Sequence, residues 1–300
     1  MRQKQRLSGD GGKSFPVRGA KEATGIGGVQ VDVAPPLQTL TQRQRALIRL
    51  LLRDKNTRIE EGAFVLEGAK SCLDAICRHP QAIISLTMAP RYLQTESDEG
   101  RQARSTLAVR QYTCSDAVFD QLSDVEAPQG LLAVVRQPQW DESRLLGQAR
   151  VLGIYGDRLR DPANVGAIIR TAAALNLTGV WLSPDSADPF GPKVVRAAAG
   201  TVVTLPVFRG SDAGVFEKHR CVMYSALAPS PGAVSLMDIR AIPHRLMIAV
   251  GNEGEGLAEH IVKRSAVRFT IPLAREVDSL NVAATAAISA FYLSALPTVS

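Results

Sequence analysis

Apolar positions along this chain repeat with two periods, and the two alternate. After Thr41, a residue suited to cap a helix, Leu47, Ile48, Leu51 and Leu52 fall on one helical stripe. Then come AFVLEG as a strand (residues 63–68), SCLDAICRH as a helix, AIISLTMA and LAVRQYT as strands, SDAVFDQLS as a helix and GLLAVVRQ as a closing strand. Mixed strands and helices over residues 40–136 predict a small α/β domain. Residues 137–149 are polar, contain Pro138, and are expected to be a linker.

From residue 150 the alternation becomes more regular. RVLGIYGDRL, GVWLS, CVMYSAL, RLMIAVGNE and VRFTIPL are nearly continuous apolar runs, the pattern of parallel strands covered on both faces. Between them NVGAIIRTAAALN, GPKVVRAAAG and LAEHIVKRS suit helices, Pro192 standing in the first turn of the second. A last, Ala-rich helix is expected to start at Ser279 as N-cap and to stop before Pro297. The fold class is therefore α/β: a mostly parallel sheet with helices on both faces over residues 150–300, preceded by the smaller domain. No internal repeat is visible.

Composition adds three points. Residues 1–39 are rich in glycine and charge without apolar periodicity and are expected to form a flexible basic tail; residues 1–40 hold six basic against three acidic groups, +3 of the chain's +6. The remainder is only mildly basic, so a nucleic-acid site there must be a local cluster. No apolar run approaches the length that spans a bilayer. Cys72, Cys77, Cys114 and Cys221 lack CxxC spacing and a nearby His cluster, which argues against a disulfide framework or a metal site and for four small buried hydrophobes in a reducing, cytoplasmic setting. Organellar import is the lesser reading, since Asp10 and Glu22 interrupt the tail and serine is scarce.

Three segments of the second half carry more polar chemistry than packing needs. In DRLRDPANVGAIIR a strand ends in Asp157, Arg158, Arg160 and Asp161, at the end where open α/β sheets bind ligands, and a helix follows with Asn164 and Arg170. In AVGNEGEGL three glycines, two glutamates and an asparagine follow a strand, in neither the GxGxxG nor the P-loop spacing. In IPLAREVDSLNVAATAA a charged loop leads into the Ala-rich helix. Taken singly, each has a plain alternative: a structural arginine paired with an acid, a Gly-rich turn, a packing helix with a serine cap.

Taken together they resemble the three signature motifs of the SpoU (TrmH-type) branch of the SPOUT methyltransferases. The first motif places Asn164 six residues before Arg170. The second, GxEGxGL, is matched by Gly251, Glu253, Gly254, Gly256 and Leu257. The third is matched by Ile271, Pro272, Ser279, Leu280, Asn281, Val282 and Ile288. Upstream, Phe64, Glu67 and Gly68 in FVLEG, with APQGLLAVV later, are similar to the family's ribosomal-protein-like substrate-binding domain, so the resemblance covers about residues 40–296. Arg275-Glu276 departs from the pattern, where small residues are commoner.

The resemblance implies a trefoil-knotted catalytic domain, a rare exception to unknotted topology, a homodimer, and S-adenosylmethionine as methyl donor with no metal. It implies donor binding by Gly251, Asn252, Gly254, Gly256, Ile271, Leu273, Leu280 and Asn281, and catalysis by Asn164, Arg170, Glu253, Ser279 and Asn281. The implied acceptor is a ribose 2′-hydroxyl of RNA, gripped by Arg53, Lys55 and Arg58 and by Arg158 and Arg160. A guanidinium that stays protonated in proteins suits a phosphate clamp better than a base, so Arg170 is assigned to hold phosphate, and the proton acceptor stays open. Ribosomal RNA is favoured over transfer RNA because the ribosomal-protein-like domain accompanies rRNA enzymes in this family. The rivals are methylation of a base and a catalytically silent RNA-binding assembly factor.

Overall fold

In the computed structural model, residues 35–274 and 279–299 are described; the expected tail up to residue 34 and the departure at Arg275-Glu276 lie outside them. The chain enters as β1 (Gln38–Thr39) and proceeds through helices α1 (Gln42–Arg53) and α2 (Lys55–Glu60). Strand β2 (Ala63–Glu67), helix α3 (Ala69–Arg78), strand β3 (Ile83–Met88) and helices α4 (Pro90–Thr95) and α5 (Asp98–Ser105) follow. Strand β4 (Arg110–Thr113), helix α6 (Asp116–Leu122) and strand β5 (Leu131–Arg136) complete a five-stranded sheet in the order β1-β4-β3-β5-β2. The sheet is mixed: β5 runs antiparallel to β2 and β3, while β4 runs parallel to β3 and β1.

Thr41 caps α1 as the sequence predicts, in a reciprocal capping box with Gln44. The α1 stripe buries Ile48 and Leu51 with Phe119 and Leu132. Two features escape the apolar pattern. Gln38 and Thr39, inside the expected tail, pair with Tyr112 and Thr113; two residues show no period. Helices α4 and α5 are polar, and Arg104 joins them by donating Nε and Nη2 to the two carboxylate oxygens of Glu96, both at 2.9 Å.

Past residue 136 come α7 (Glu142–Leu146), β6 (Val151–Asp157), α8 (Pro162–Ala174), β7 (Gly179–Leu182), α9 (Pro192–Ala197), β8 (Val207–Arg209) and α10 (Gly214–Lys218). Then β9 (Val222–Ala226), β10 (Val234–Ser235), β11 (Ile242–Pro243), β12 (Arg245–Gly251), α11 (Glu259–Arg264), β13 (Val267–Thr270), α12 (Val282–Ser294) and β14 (Thr298–Val299) follow. A seven-stranded sheet runs β10-β13-β9-β12-β6-β7-β8, and every pairing in it is parallel. Alternate residues of the central strands feed separate cores. Ile154, Ile248 and Val250 pack with Ile168, Ala286 and Ala290, whereas Tyr155, Met247 and Ala249 pack with Phe216 and Ile261. The sheet buried on both faces is thus as the apolar runs imply. One cap differs. Asn281, not Ser279, caps α12, its Oδ1 accepting from the N–H groups of Ala283 and Ala284, a task for which Asn ranks with Ser.

The segment expected to be a linker is packed. Gln137 is buried and donates Nε2 to the carbonyls of Arg58 (2.7 Å) and Ala63 (3.2 Å), and Trp181 Nε1 donates to Glu142 of α7 (2.9 Å). Arg58, expected on an RNA-facing surface, is instead buried. Its Nε lies 2.8 Å from Asp188 Oδ2, with side chains 6% and 8% exposed, and its Nη1 donates to Leu51 O at 2.7 Å. Its partner sits 130 residues away in sequence, so local pattern could not reveal it. The cysteines differ in one place too: Cys72, Cys114 and Cys221 are buried, Cys77 is exposed, and all four are free. No described helix is long and apolar enough to cross a membrane.

Removing one partner of a buried ion pair leaves the other charge uncompensated. Asp188→Asn is therefore expected to cost about 3–5 kcal/mol in urea unfolding. A loss below about 1 kcal/mol, the scale of exposed pairs, would show that solvent screens Arg58.

Candidate active site

The C-terminal ends of β12, β9 and β13 open on one crevice, at the end of a parallel sheet where ligands bind. A cavity of about 430 Å³ lies there, within the range of small-ligand sites. Its walls are the 251–257 loop after β12, Thr270, Ile271 and Leu273 after β13, Ser279 and Leu280 leading into α12, and Leu227, Ala228 and Pro229 after β9.

The 251–257 loop is held in shape by its own polar groups. Asn252 and Gly256 exchange backbone hydrogen bonds (3.1 and 2.9 Å), closing a tight antiparallel bridge. Asn252 Oδ1 accepts from the N–H groups of Gly254 (2.9 Å) and Glu255 (3.1 Å), and its Nδ2 donates to Arg158 O (3.0 Å). A Cβ on Gly251 would lie 2.4 Å from Gly256 C and Leu257 N, so the loop folds back onto β12 only over a glycine. Gly256 sits at φ 67°, a left-handed conformation natural to glycine.

At the end of β6, buried Asp157 accepts from Ala258 N–H (2.8 Å) and from Arg158 Nε (3.3 Å). Arg158 holds φ 55°, costly for a non-glycine residue. Its N–H donates to Ser183 Oγ (2.7 Å), Nη1 pairs with the Glu255 carboxylate, and Nη2 donates to Gly256 O (3.0 Å). Arg158, expected to contact RNA, thus braces the loop. Arg160 stays largely exposed, 3.9 Å from Glu255, and Arg53 and Lys55 are exposed at the junction of α1 and α2.

Three of the expected catalytic residues form one chain. Asn281 Nδ2 donates to Asn164 Oδ1 (2.9 Å), and Asn164 Nδ2 donates to Glu253 Oε1 (2.5 Å). Asn164, buried on the first turn of α8, is thereby fixed in rotamer from both sides, while one amide N–H and one carbonyl lone pair remain free of these bonds. Arg170 is not gathered in. Six residues at 100° each carry it about 240° around α8 from Asn164. It is exposed, with no hydrogen-bond or ion-pair partner among the described residues. Of the expected donor-pocket residues, Gly251, Asn252, Gly254, Gly256, Ile271, Leu273 and Leu280 line the cavity, and Asn281 stands at its rim as the cap of α12. Leu227, Ala228 and Pro229 went unanticipated, their one signal being a Pro-containing turn after a strand. Burial pushes the Tyr155 phenol up to about 12, with the Asp157 carboxylate adding to it, so Tyr155 stays neutral near pH 7.

Parallel sheet, crevice and polar chain define an α/β domain built to hold a small ligand beside a fixed carboxamide–carboxylate pair. The family follows from comparison with known proteins. Residues 152–291 match the SpoU rRNA Methylase family and residues 48–133 the MRM3-like substrate binding domain. The chain thus carries a SpoU-type methylase domain, with an MRM3-like substrate-binding domain ahead of it. An uncharacterized tRNA/rRNA methyltransferase of Synechocystis is 33% identical over 59% of this chain and 64% of that protein, so the match spans just under two thirds of that relative. The 23S rRNA (guanosine(2553)-2′-O)-methyltransferase RlmP of Bacillus subtilis is 29% identical over 81% of this chain and 92% of that one. The AdoMet-bound rRNA methyltransferase of Sinorhizobium meliloti superposes with a TM-score of 0.72 at 26% identity, covering 85% of this chain and 95% of that one.

Gly251→Ala is expected to leave the fold intact but to displace the 252–256 loop, because the added methyl meets backbone that cannot rotate away. Amide hydrogen exchange should accelerate at Gly256 and Ala258, whose N–H groups are bonded to Asn252 O and Asp157. Unchanged exchange there would show that the loop tolerates a side chain.

Proposed function

We propose that this protein transfers a methyl group from S-adenosylmethionine (AdoMet) to a ribose 2′-hydroxyl of RNA, with ribosomal RNA in the cytoplasm as substrate. The observation that carries this reading is the Asn281–Asn164–Glu253 chain at the edge of a nucleoside-sized cavity. The cavity suits the donor: Ile271, Leu273 and Leu280 offer apolar surface to a flat base, and the 251–257 backbone offers polar groups. When bound, AdoMet supplies a methyl on a positively charged sulfur. Gly251, Ile271 and Leu280 would hold its adenosine, within the trefoil knot that the family brings with it.

On the acceptor side, the free N–H and lone pair of Asn164 orient the ribose hydroxyl, and Glu253 and Asn281 keep that carboxamide from turning. Ser279, on the cavity wall, adds a hydroxyl to the same site. Arg53, Lys55 and Arg160 meet RNA phosphates from exposed positions. Arg170 clamps phosphate, as a planar fork of donors suits. It does so in a homodimer, where a second copy supplies the arginine that lies on the far flank from its own Asn164.

An apolar face supports the dimer. Ile288 and Phe291 of α12 are 42% and 67% exposed, and Met237, also exposed, is held beside the same helix by Tyr292 OH, which donates to Met237 O and Ile239 O. Phe291→Glu is expected to yield a monomer in sedimentation with unchanged helix content. A dimer that survives it would place the interface elsewhere.

The direct test is calorimetry with AdoMet beside transfer of labelled methyl to deproteinised ribosomal RNA, with nuclease-resistant dinucleotides separating 2′-O from base products. AdoMet binding and a 2′-O product are expected; a labelled base would replace the acceptor, and absence of AdoMet binding would leave an RNA-binding assembly factor. Arg170→Ala should lower turnover by about 100-fold, the scale of a lost positioning contact, with AdoMet affinity unchanged. Wild-type turnover would remove Arg170 from the mechanism.

A further inference from the structure

Between the two domains lies a second cavity, of about 250 Å³, lined by Lys55 and Ile59 of α2, by residues 182–184 and 186–189 at and after the end of β7, and by Arg209 and Gly210 at the end of β8. Its wall carries more positive than negative charge. Arg58 and Arg209 both face Asp188, the carboxylate among the lining residues, and one carboxylate neutralises one guanidinium. Arg58 takes it at 2.8 Å, buried on both sides, while Arg209 Nη1 stands at 3.7 Å, outside hydrogen-bond reach. That nitrogen is buried and has no hydrogen-bond partner among the described residues. The other contacts of Arg209 are neutral: Nη2 donates to Gln137 Oε1 (3.0 Å), and the guanidinium lies over the Phe190 ring at 5.6 Å. Lys55 adds a second, exposed cation. A half-desolvated guanidinium with spare donors is stabilised by an anion with several acceptor oxygens.

We propose that this cleft is a phosphate subsite for the substrate RNA, with Lys55 and Arg209 as its cations. The assignment rests on RNA being the substrate. Position supports it. Ser183 and Ser186, on the cleft wall, accept from Arg158 N–H (2.7 Å) and Leu159 N–H (3.1 Å), so the wall is bonded to the turn that braces the 251–257 loop. Strand β8 stands two strand spacings from β6, roughly 10 Å, a distance that a short run of nucleotides covers. A strand whose ribose lies at Asn164 can thus leave a flanking phosphate in the cleft, where both domains hold it.

The plain alternative is that Arg209 only fastens Gln137 and Phe190, and salt dependence separates the two. Binding of a single-stranded RNA oligonucleotide of mixed sequence is measured across a salt series for the full-length wild type, Lys55→Gln, Arg209→Gln and Arg209→Lys, beside AdoMet calorimetry. Each glutamine variant is expected to reduce the log–log salt slope by about 0.7 units, one phosphate contact to single-stranded nucleic acid. Arg209→Lys should keep most of the slope, and AdoMet affinity should stay constant throughout. Wild-type slopes in both glutamine variants overturn the subsite. Where Arg209→Gln fails to fold, Lys55→Gln, at an exposed position, decides alone. Should the wild type bind RNA without salt dependence, or not at all, the RNA reading itself fails, which the variants cannot mimic.

Discussion

Strands β6 and β12 lie side by side with both faces dry, and the rest of the molecule answers to that constraint. All seven residues of β6 are buried, so no charged group can sit along it without a partner. Polar chemistry is confined to where the strands stop. Asp157, the last residue of β6, is satisfied by Ala258 N–H and Arg158, and the residues after Gly251 turn back at once. The site lies at the sheet's edge because the interior has no room for it.

The loops at that edge are stabilised by bonds that also shape the pocket. Asn252 closes its own turn and reaches the carbonyl of Arg158, while Arg158 reaches back to Glu255 and Gly256. Two loops from adjacent strands therefore rigidify one another. Asn281 plays a comparable double part: its Oδ1 starts α12 and its Nδ2 fixes Asn164. Since the start of a helix and the rotamer of a site residue rest on one side chain, the geometry at Asn164 inherits the order of α12. Preorganisation of this kind lets a weakly acidic hydroxyl be positioned without reordering the protein.

Much of this was legible in the sequence, for identifiable reasons. Near-continuous apolar runs give buried parallel strands because burial on both faces removes the polar alternation. The glycines of AVGNEGEGL announced a close backbone approach, and Gly251 bears that out through the atoms a Cβ would meet. What stayed hidden depends on distant partners. Nothing near Arg58 distinguishes it from exposed Arg53 and Lys55; its burial comes from Asp188 across the domain boundary. Arg158 reads as one more basic residue in a polar loop until its left-handed backbone and three acceptors are seen. The distance of Arg170 from Asn164 was within reach of helical periodicity alone, since six residues cannot share a helix face.

The polar segment 137–149 reads as a linker, yet buried side chains pack across it. Phe64 of the first domain lies against Phe190 of the second, ring centroids 5.2 Å apart, and Phe64, Leu66 and Cys72 share one apolar core with Phe190, Val194 and Val195. Cutting the chain at residue 150 would expose the second set to water and strand Asp188 without Arg58. Domain boundaries that matter to stability fall where few contacts cross, and here buried side chains, the Arg58–Asp188 pair and the hydrogen bond from Arg209 to Gln137 all cross. The spacing between the basic junction of α1 and α2 and Asn164 is then a property of the core rather than of a flexible connection. On the proposed function, that fixed spacing would set, by geometry and not by base recognition, how far from a gripped phosphate the reacting ribose lies.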